Sequence, residues 1–215
     1  GLERFKRITG YSTTPAVDYG PWNDFRRRSI TELVRRTRAE VASIANPRQP
    51  LRVSTAAITW GDAPSNFQAT SSWSLFQNWE EWQRLGYVDS AVSMAYFGQT
   101  SYPAYYTNWV NKSIGWRYAR QMIIGPATYM NTPANSVIQI QYARTQGADG
   151  VCTYCYRETR NDGGDIWAWY PYVGTNCFTQ NVLVPTMPWR YPATATEGTL
   201  WGRITDAIAG KPLDD

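Results

Sequence analysis

The chain has 215 residues, a formal net charge of +4 at pH 7 and no histidine. The missing histidine excludes a Ser-His-Asp or Cys-His triad and disfavours an ordinary zinc site, so any catalysis must use carboxylates, Tyr, Lys or Cys. Aromatic residues make up 15% of the chain, and no apolar run approaches the length of about 20 residues that a membrane-spanning helix needs.

An amphipathic helix is the first predicted element, over residues 22–45, with apolar positions such as Phe25 and Val34 at helical spacing. Much of the positive charge lies on this helix. Glu32 and Glu40 stand three or four residues from its arginines and offset them. We therefore expect a solvated helix face here and not a nucleic-acid-binding patch.

Strands and helices alternate through the middle of the chain. Strands are predicted over 51–59, 90–97, 120–129 and 150–156, and the intervening helices over 74–85, 102–114 and 133–146. Gly86 and Gly147 end two of the helices. Repeated strand–helix units predict an α/β fold with a parallel sheet. The loops after strands are long and polar, which places functional residues at the carboxyl ends of the strands, as in a TIM barrel.

The pattern changes after residue 157. Residues 158–196 are rich in aromatics and proline and are expected to form an extension packed on the preceding elements. Residues 197–215 look like the opening strand and turn of a β-sandwich module of the carboxypeptidase regulatory-like type, cut off at its start. Both ends of the chain are thus expected to be interior to a longer protein. If the protein is extracellular, Cys177 is expected to pair with Cys152 or Cys155.

Several motifs in residues 3–157 occur in a fixed order. They include Thr59-Trp60-Gly61-Asp62, then Phe76-Gln77-Asn78-Trp79-Glu80-Glu81-Trp82, and then Gly125-Pro126-Ala127-Thr128-Tyr129-Met130-Asn131. This ordered set resembles the glycosyl-hydrolase-like family 10 proteins.

The resemblance implies a (β/α)8 barrel of which this chain supplies only about strands five to eight. It implies a bacterial protein that is secreted or associated with the cell envelope and acts on glycans; one member type acts on peptidoglycan strands that lack peptide stems. In the family, the fourth strand carries an Asp-x-x-Arg-Tyr-Pro motif that would lie upstream of Gly1. We therefore expect an N-terminal half-barrel, or a second copy of the chain, to complete the core.

Glycoside hydrolysis generally needs two carboxylates that flank the scissile bond. Asp62 follows the first predicted strand and Glu158 follows the last, so both are candidate catalytic residues. The alternatives are that Asp62 only forms a turn after Gly61 and that Glu158 is a surface residue paired with Arg157 or Arg160. Asp89 precedes a strand and is assigned to the opposite, stabilising end of the sheet.

Aromatic and amide side chains near the same strand ends are candidates for holding the sugar: Trp60, Trp73, Gln77, Tyr96 and Tyr129. Gln77 and Asn78 stand where the family commonly shows Gln-Asp. Asn78 cannot exchange a proton usefully near neutral pH, which leaves Gln77 as a hydrogen-bonding residue. For the two tyrosines, packing inside a barrel core is an equal alternative.

Two functions follow from these residues. The first is a glycoside hydrolase that acts on bacterial cell-wall or extracellular glycan by carboxylate acid/base chemistry, with no cofactor and no metal. The alternative is a non-catalytic carbohydrate-binding protein or structural cell-surface scaffold with a degenerate barrel. Both imply a glycan as the partner and neither involves nucleic acid.

Overall fold

The computed structural model describes residues 1–44 and 51–198, with Leu200, Gly202 and Ala207 beyond them. The chain divides into two compact units. One comprises Gly1–Leu51 with Pro188–Asp215, and the other is Arg52–Met187. The β-sandwich module predicted at 197–215 falls outside the described residues except at isolated positions.

Two helices, α1 (Leu2–Thr9) and α2 (Gly20–Ser43), form the described core of the first unit. Phe5 is almost fully buried, and its ring centroid lies 5.1 Å from that of Trp22 and 5.4 Å from that of Phe25. The predicted helix over 22–45 is confirmed. It begins slightly earlier because Pro21 occupies its first turn, where a missing N–H is tolerated.

The arginines of α2 form the ion pairs that their spacing predicts. Arg35 Nε donates to Glu32 Oε2 at 3.0 Å, and Arg36 Nε donates to Glu40 Oε1 at 2.8 Å. In the part of the chain that the structure describes, no helix has both the length and the apolar character needed to cross a membrane.

The second unit is built on a four-stranded parallel sheet, which confirms the predicted α/β class. Its strands are adjacent in chain order: β1 (Ser54–Ile58), β2 (Ser90–Met94), β3 (Gln121–Ile124) and β4 (Gly150–Val151). In register, Ala56 pairs with Val92, Val92 with Ile123, and Ile123 with Gly150.

Helices connect the strands: α3 (Ser71–Ser74), α4 (Trp79–Arg84), α5 (Pro103–Gly115), α6 (Pro133–Thr145) and, after β4, α7 (Trp169–Cys177). Gly86 and Gly147 end α4 and α6 as predicted. Both have positive φ, of 69° and 89°. At each end the next residue donates back to the helix, Tyr87 N to Trp82 O and Ala148 N to Ala143 O, which closes the turn.

The single helix predicted over 74–85 is two short helices in the structure. Phe76 adopts a left-handed conformation with φ of 63° and ends α3. Gln77 N donates to Ser72 O at 2.8 Å and Phe76 N to Trp73 O at 3.1 Å, the same closing pattern that glycine makes elsewhere. No Gly or Pro marks this break, so the apolar periodicity predicts one continuous helix across it.

The two faces of the sheet differ sharply in burial. One face, the packed face, carries Ala57, Ala91, Ser93, Met122 and Ile124, all fully buried. Helix α5 packs on this face, where Ser113 Oγ donates to Ser93 Oγ at 3.0 Å. On the other face, here called the open face, the apolar side chains are half-buried or exposed: Ala56, Ile58, Val92, Met94 and Ile123. Two polar side chains at the amino end of that face, Ser90 and Gln121, are buried. Helices therefore cover one side of a sheet type that is normally buried on both.

Two aspartates tie the strands together at the amino end of the sheet. Asp89, fully buried before β2, accepts a 2.7 Å hydrogen bond from Val53 N. Asp149, before β4, accepts one of 2.9 Å from Met122 N and pairs with Arg117 at 3.1 Å. Each carboxylate thus satisfies a backbone N–H of the preceding strand. The placement of Asp89 at the stabilising end is as the sequence predicts.

Candidate functional site

Three tyrosines meet at the carboxyl end of the sheet. Tyr96 follows β2, Tyr129 follows β3 and Tyr154 follows β4. The ring centroids of Tyr96 and Tyr154 lie 5.2 Å apart with an interplanar angle of 27°, and Tyr129 stands edge-on to both, at 6.5 Å and 6.0 Å. Tyr154 is 52% exposed and the other two are half-buried. We call Tyr96, Tyr129 and Tyr154 the tyrosine cluster.

Backbone pairing beyond the ends of β3 and β4 positions Tyr154. Tyr154 N donates to Pro126 O at 3.0 Å, and Tyr154 O accepts from Thr128 N at 2.9 Å. Thr128 Oγ1 adds a second bond to Tyr154 O at 3.0 Å. Tyr129 lies in the short 3-10 helix Thr128–Met130 and not in the predicted strand, so the same segment orients two of the three rings.

A buried amide network supports the loops beneath the cluster. Asn131 Nδ2 donates to Ala127 O at 2.9 Å and to Phe97 O at 3.2 Å, and Asn131 Oδ1 accepts from Gln99 N at 2.7 Å. Gln139 Nε2 also donates to Phe97 O, at 2.9 Å. Both amides are essentially inaccessible to solvent. The loops after β2 and β3 are therefore held rigidly relative to one another.

Tyr96 is half-buried in the cluster. Burial raises the pKa of Tyr96 above its ordinary value, and the neighbouring Tyr154 hydroxyl and Cys152 thiol raise it further. Its hydroxyl therefore remains protonated near neutral pH and is available as a donor and an acceptor. The site combines neutral hydroxyl groups with exposed aromatic faces, which suits a neutral, hydroxyl-rich ligand better than an ionic one.

Trp60 and Trp73 have different surroundings. Trp60 directly follows the carboxyl end of β1 and is 61% exposed. Its backbone N–H donates to Ser71 Oγ at 3.2 Å, which fixes it against α3. Trp73 is half-buried within α3, and its backbone N–H donates to Thr70 Oγ1, which caps the helix, at 3.1 Å. Trp60 is the more accessible of the two for stacking.

Gln77 uses both ends of its amide on the backbone of β1. Its Oε1 accepts from Ile58 N at 2.8 Å and its Nε2 donates to Ala56 O at 2.7 Å. The backbone O of Val53 points toward β2, because it accepts from Asp89 N. Since backbone groups alternate between the two edges of a strand, those of Ala56 and Ile58 point to the opposite edge of β1. Gln77 thus completes the outer edge of β1, and a sugar hydroxyl would have to displace one of these bonds.

Asp62 lies in an exposed turn that is tied to helix α5. Its Oδ1 accepts from Asn108 Nδ2 and from Ala63 N, at 2.9 Å and 2.8 Å. Trp109 Nε1 donates to Gly61 O at 2.8 Å and fixes the same turn. The carboxylate follows β1 as predicted, and its partners are turn and helix groups.

Glu158 lies beside the tyrosine cluster. Thr128 Oγ1, which bonds Tyr154 O, also donates to Glu158 O at 3.3 Å. The carboxylate is exposed. Arg160, one partner considered from sequence, pairs instead with Asp162 and lowers the pKa of that carboxyl to about 2. Among the residues described, no hydrogen bond or ion pair joins Glu158 to Asp62.

The three cysteines are thiols, and the disulfide considered from sequence does not form. Cys177 is buried between α6 and α7, with Val137, Ile140 and Val173. Cys152 and Cys155 follow β4 at the strand end. Over the described ranges, His, Cys, Asp and Glu side chains form no group of three that could hold a metal ion.

Sequence reasoning identified Tyr96 and Tyr129 but missed Tyr154, the most exposed ring of the cluster. The residue stands within the predicted strand over 150–156, between Cys152 and Cys155. Sequence reasoning also missed Asn131 and Gln139, the buried amides that hold the loops after β2 and β3. A signal for Gln139 was available, because an amide between Ile138 and Ile140 on an apolar helix suggests a buried polar partner.

Comparison of the chain with family models, with curated proteins and with solved structures finds no match to any of them.

Proposed function

We propose that the carboxyl end of this sheet binds a glycan chain, as part of a carbohydrate-active protein of the cell envelope or extracellular space. The observation that carries the proposal is the tyrosine cluster, three partly exposed rings where three consecutive strands end. Within the described part of the chain, their hydroxyl groups make no hydrogen bond to other side chains. Exposed Trp60 adds a fourth ring at the end of β1. Pyranose rings offer apolar C–H faces and hydroxyl edges, which these side chains complement.

The sheet is proposed to be strands five to eight of a (β/α)8 barrel. In a doubly wound sheet the strand order reverses and helices cover both faces. Here the order β1-β2-β3-β4 never reverses, and the fully buried apolar side chains of the strands lie on one face only. The wall of a (β/α)8 barrel, in which right-handed crossovers always step in one direction, would have this arrangement, and this supports the proposal.

The open face would then be the interior of that barrel. Its half-buried residues Val92, Met94 and Ile123 are apolar, as barrel interiors are. We propose that four further strand–helix units, the N-terminal half-barrel, cover this face; a second copy of the chain is the other way to fill it.

A test of glycan binding compares two exposed tyrosines at opposite ends of the sheet. Tyr154→Ala is expected to weaken binding of the protein to peptide-free peptidoglycan strands about tenfold, because it removes the most exposed ring. Tyr118→Ala is the matched control, since Tyr118 is 46% exposed but precedes β3. Equal affinity of both variants and the parent protein for the strands, measured by calorimetry, would contradict the proposal.

Hydrolysis is the second candidate function. It is favoured by Glu158, whose backbone O accepts from Thr128 Oγ1, the same hydroxyl that bonds Tyr154 O. Glu158 would act as the acid, and a second carboxylate would come from the complementary strands or from Asp62. Glu158→Gln is expected to reduce the release of reducing ends from peptide-free strands by about 100-fold or more while binding persists. If the protein binds the strands but releases no reducing ends, and if Glu158→Gln and Asp62→Asn leave that binding unchanged, hydrolysis is ruled out and carbohydrate binding remains as the function.

A further inference from the structure

A second group of exposed aromatic rings lies just beyond the tyrosine cluster. Tyr156, Trp167 and Tyr170, here called the aromatic platform, have ring centroids 5.6–6.1 Å apart. The rings of Trp167 and Tyr170 are nearly parallel and stacked, with an interplanar angle of 24°. Tyr156 is 68% exposed and Trp167 52%. Large aromatic side chains at this exposure lose stabilisation in water unless something covers them.

Three hydrogen bonds hold the platform in place. Tyr170 hydroxyl donates to Tyr156 O at 2.8 Å, which ties helix α7 to the segment after β4. Asp165 Oδ1 caps Trp167 N at 3.0 Å, and the buried Thr159 Oγ1 donates to Ile166 O at 2.6 Å. A binding surface that is ordered before its ligand arrives loses little conformational entropy on binding.

The platform is continuous with the tyrosine cluster. Tyr154 belongs to one group and Tyr156 to the other, and two residues of extended chain span at most about 7 Å between Cα atoms. The Cys155 thiol between them lies close to both groups, since it contributes to raising the pKa of Tyr96 and of Tyr170. The two groups of rings are therefore neighbours along the segment after β4.

Acidic side chains slightly outnumber basic ones in the segment that carries the platform. Arg160 Nη2 donates to Asp162 Oδ2 at 2.7 Å, and its Nη1 donates to Asp165 O at 3.2 Å. Glu158, Asp162 and Asp165 together offset Arg157 and Arg160. Single-stranded nucleic acid also stacks on aromatic rings, but it requires a positively charged groove for its phosphates. The local charge thus favours a neutral ligand with a flat apolar face.

We propose that the aromatic platform is a second stacking subsite for the glycan, occupied by a sugar unit beyond those at the tyrosine cluster. The inference rests on the proposed glycan binding and adds that the ligand is an oligosaccharide or polysaccharide. A monosaccharide or disaccharide held at the tyrosine cluster would leave the platform empty. Affinity therefore rises with chain length.

The test measures binding of defined peptide-free peptidoglycan fragments, a disaccharide and an octasaccharide, by calorimetry. The parent protein is expected to bind the octasaccharide more tightly. Trp167→Ala is expected to weaken octasaccharide binding about tenfold and to leave disaccharide binding unchanged, while Trp167→Phe retains most of the affinity. Tyr172→Ala is the matched control, because Tyr172 is 43% exposed on α7, the helix that carries Tyr170, and lies outside the platform.

The outcomes separate the two proposals. If Tyr154→Ala weakens binding of both fragments but Trp167→Ala changes neither, the glycan site stands and the platform is not part of it. If the parent protein binds neither fragment, both proposals fail. Binding of a thymidine oligonucleotide that Trp167→Ala abolishes, without binding of the octasaccharide, would overturn the sugar assignment in favour of nucleic acid.

Discussion

The amide of Gln77 replaces a neighbouring strand along the outer edge of β1. Its acceptor and donor meet Ile58 N and Ala56 O, two positions apart, as a paired backbone would. Ser72 Oγ continues the same edge by donating to Ile58 O at 2.5 Å. Side chains of the segment that follows β1 therefore satisfy this part of the edge within the chain itself. A neighbouring barrel strand would have to displace the Gln77 amide in order to pair there.

Replacing the amide with a carboxylate tests this role. Gln77→Glu keeps the shape of the side chain but sets an oxygen against Ala56 O, where Nε2 now donates. We expect a loss of about 1–3 kcal/mol in the free energy of unfolding, measured as the urea midpoint. Gln68→Glu makes the same chemical change at an exposed site and is expected to alter stability by less than about 0.5 kcal/mol. Equal midpoints for the two variants would rule out the edge-completing role.

For single residues, the sequence predicts which side chains lie near the strand ends better than it predicts which partners they contact. A family position suggested that Gln77 would meet a sugar, and nothing local in the sequence indicates which strand edge lacks a partner. Tyr96 is different: it lies two residues beyond the end of β2, where side chains of parallel strands converge, so its place in the cluster follows from the strand prediction.

At the scale of elements, β3 ends where three strands approach most closely. Gly125 N donates to Ser93 O at 2.7 Å. A Cβ built on Gly125 would stand 2.8 Å from Ser93 O and 3.2 Å from Cys152 O, so the backbones of β2 and β4 leave no room for a side chain. The close approach brings the segments that carry Tyr96, Tyr129 and Tyr154 together.

Gly125→Ala is therefore expected to destabilise the protein by about 1–3 kcal/mol and to weaken glycan binding, since the strand ends must separate. Gly174→Ala is the matched control. A Cβ on Gly174, within α7, meets no atom within 4 Å, and alanine favours a helix, so its thermal midpoint should stay the same or rise. A Gly125→Ala variant as stable as Gly174→Ala would show that the strands tolerate the side chain.

The strength of local signals decides which elements the sequence could predict. Proline and glycine punctuate α5 and α6, and these helices lie within one residue of their predicted bounds. Strand 150–156 shrinks to Gly150–Val151 with an isolated bridge between Ala127 and Tyr154. Its apolar and aromatic residues are strand formers, but β4 has a neighbour on one side only, so pairing beyond its first residues is sparse.

At the scale of the whole molecule, the second unit is built on a parallel sheet, and on its open face the apolar side chains stay half-buried or exposed. Parallel sheets occur almost only with both faces buried, because their side chains are apolar on both sides. The sequence could predict the sheet and its strand order from alternating elements. It could not show which side the helices cover, since that depends on the handedness and direction of every crossover.

The open face predicts that the 215-residue chain, prepared alone, associates with itself at micromolar concentration. Sedimentation should show species heavier than the monomer, because burying Val92 and its neighbours removes apolar area from water. Val92→Lys places a charge at the centre of that face and is expected to shift the distribution toward monomer. Val182→Lys, at a site already 81% exposed, should leave it unchanged. A parent chain that sediments as a single monomeric species and unfolds cooperatively would mean that the open face needs no complement, and the half-barrel proposal would then fail even if glycan binding holds.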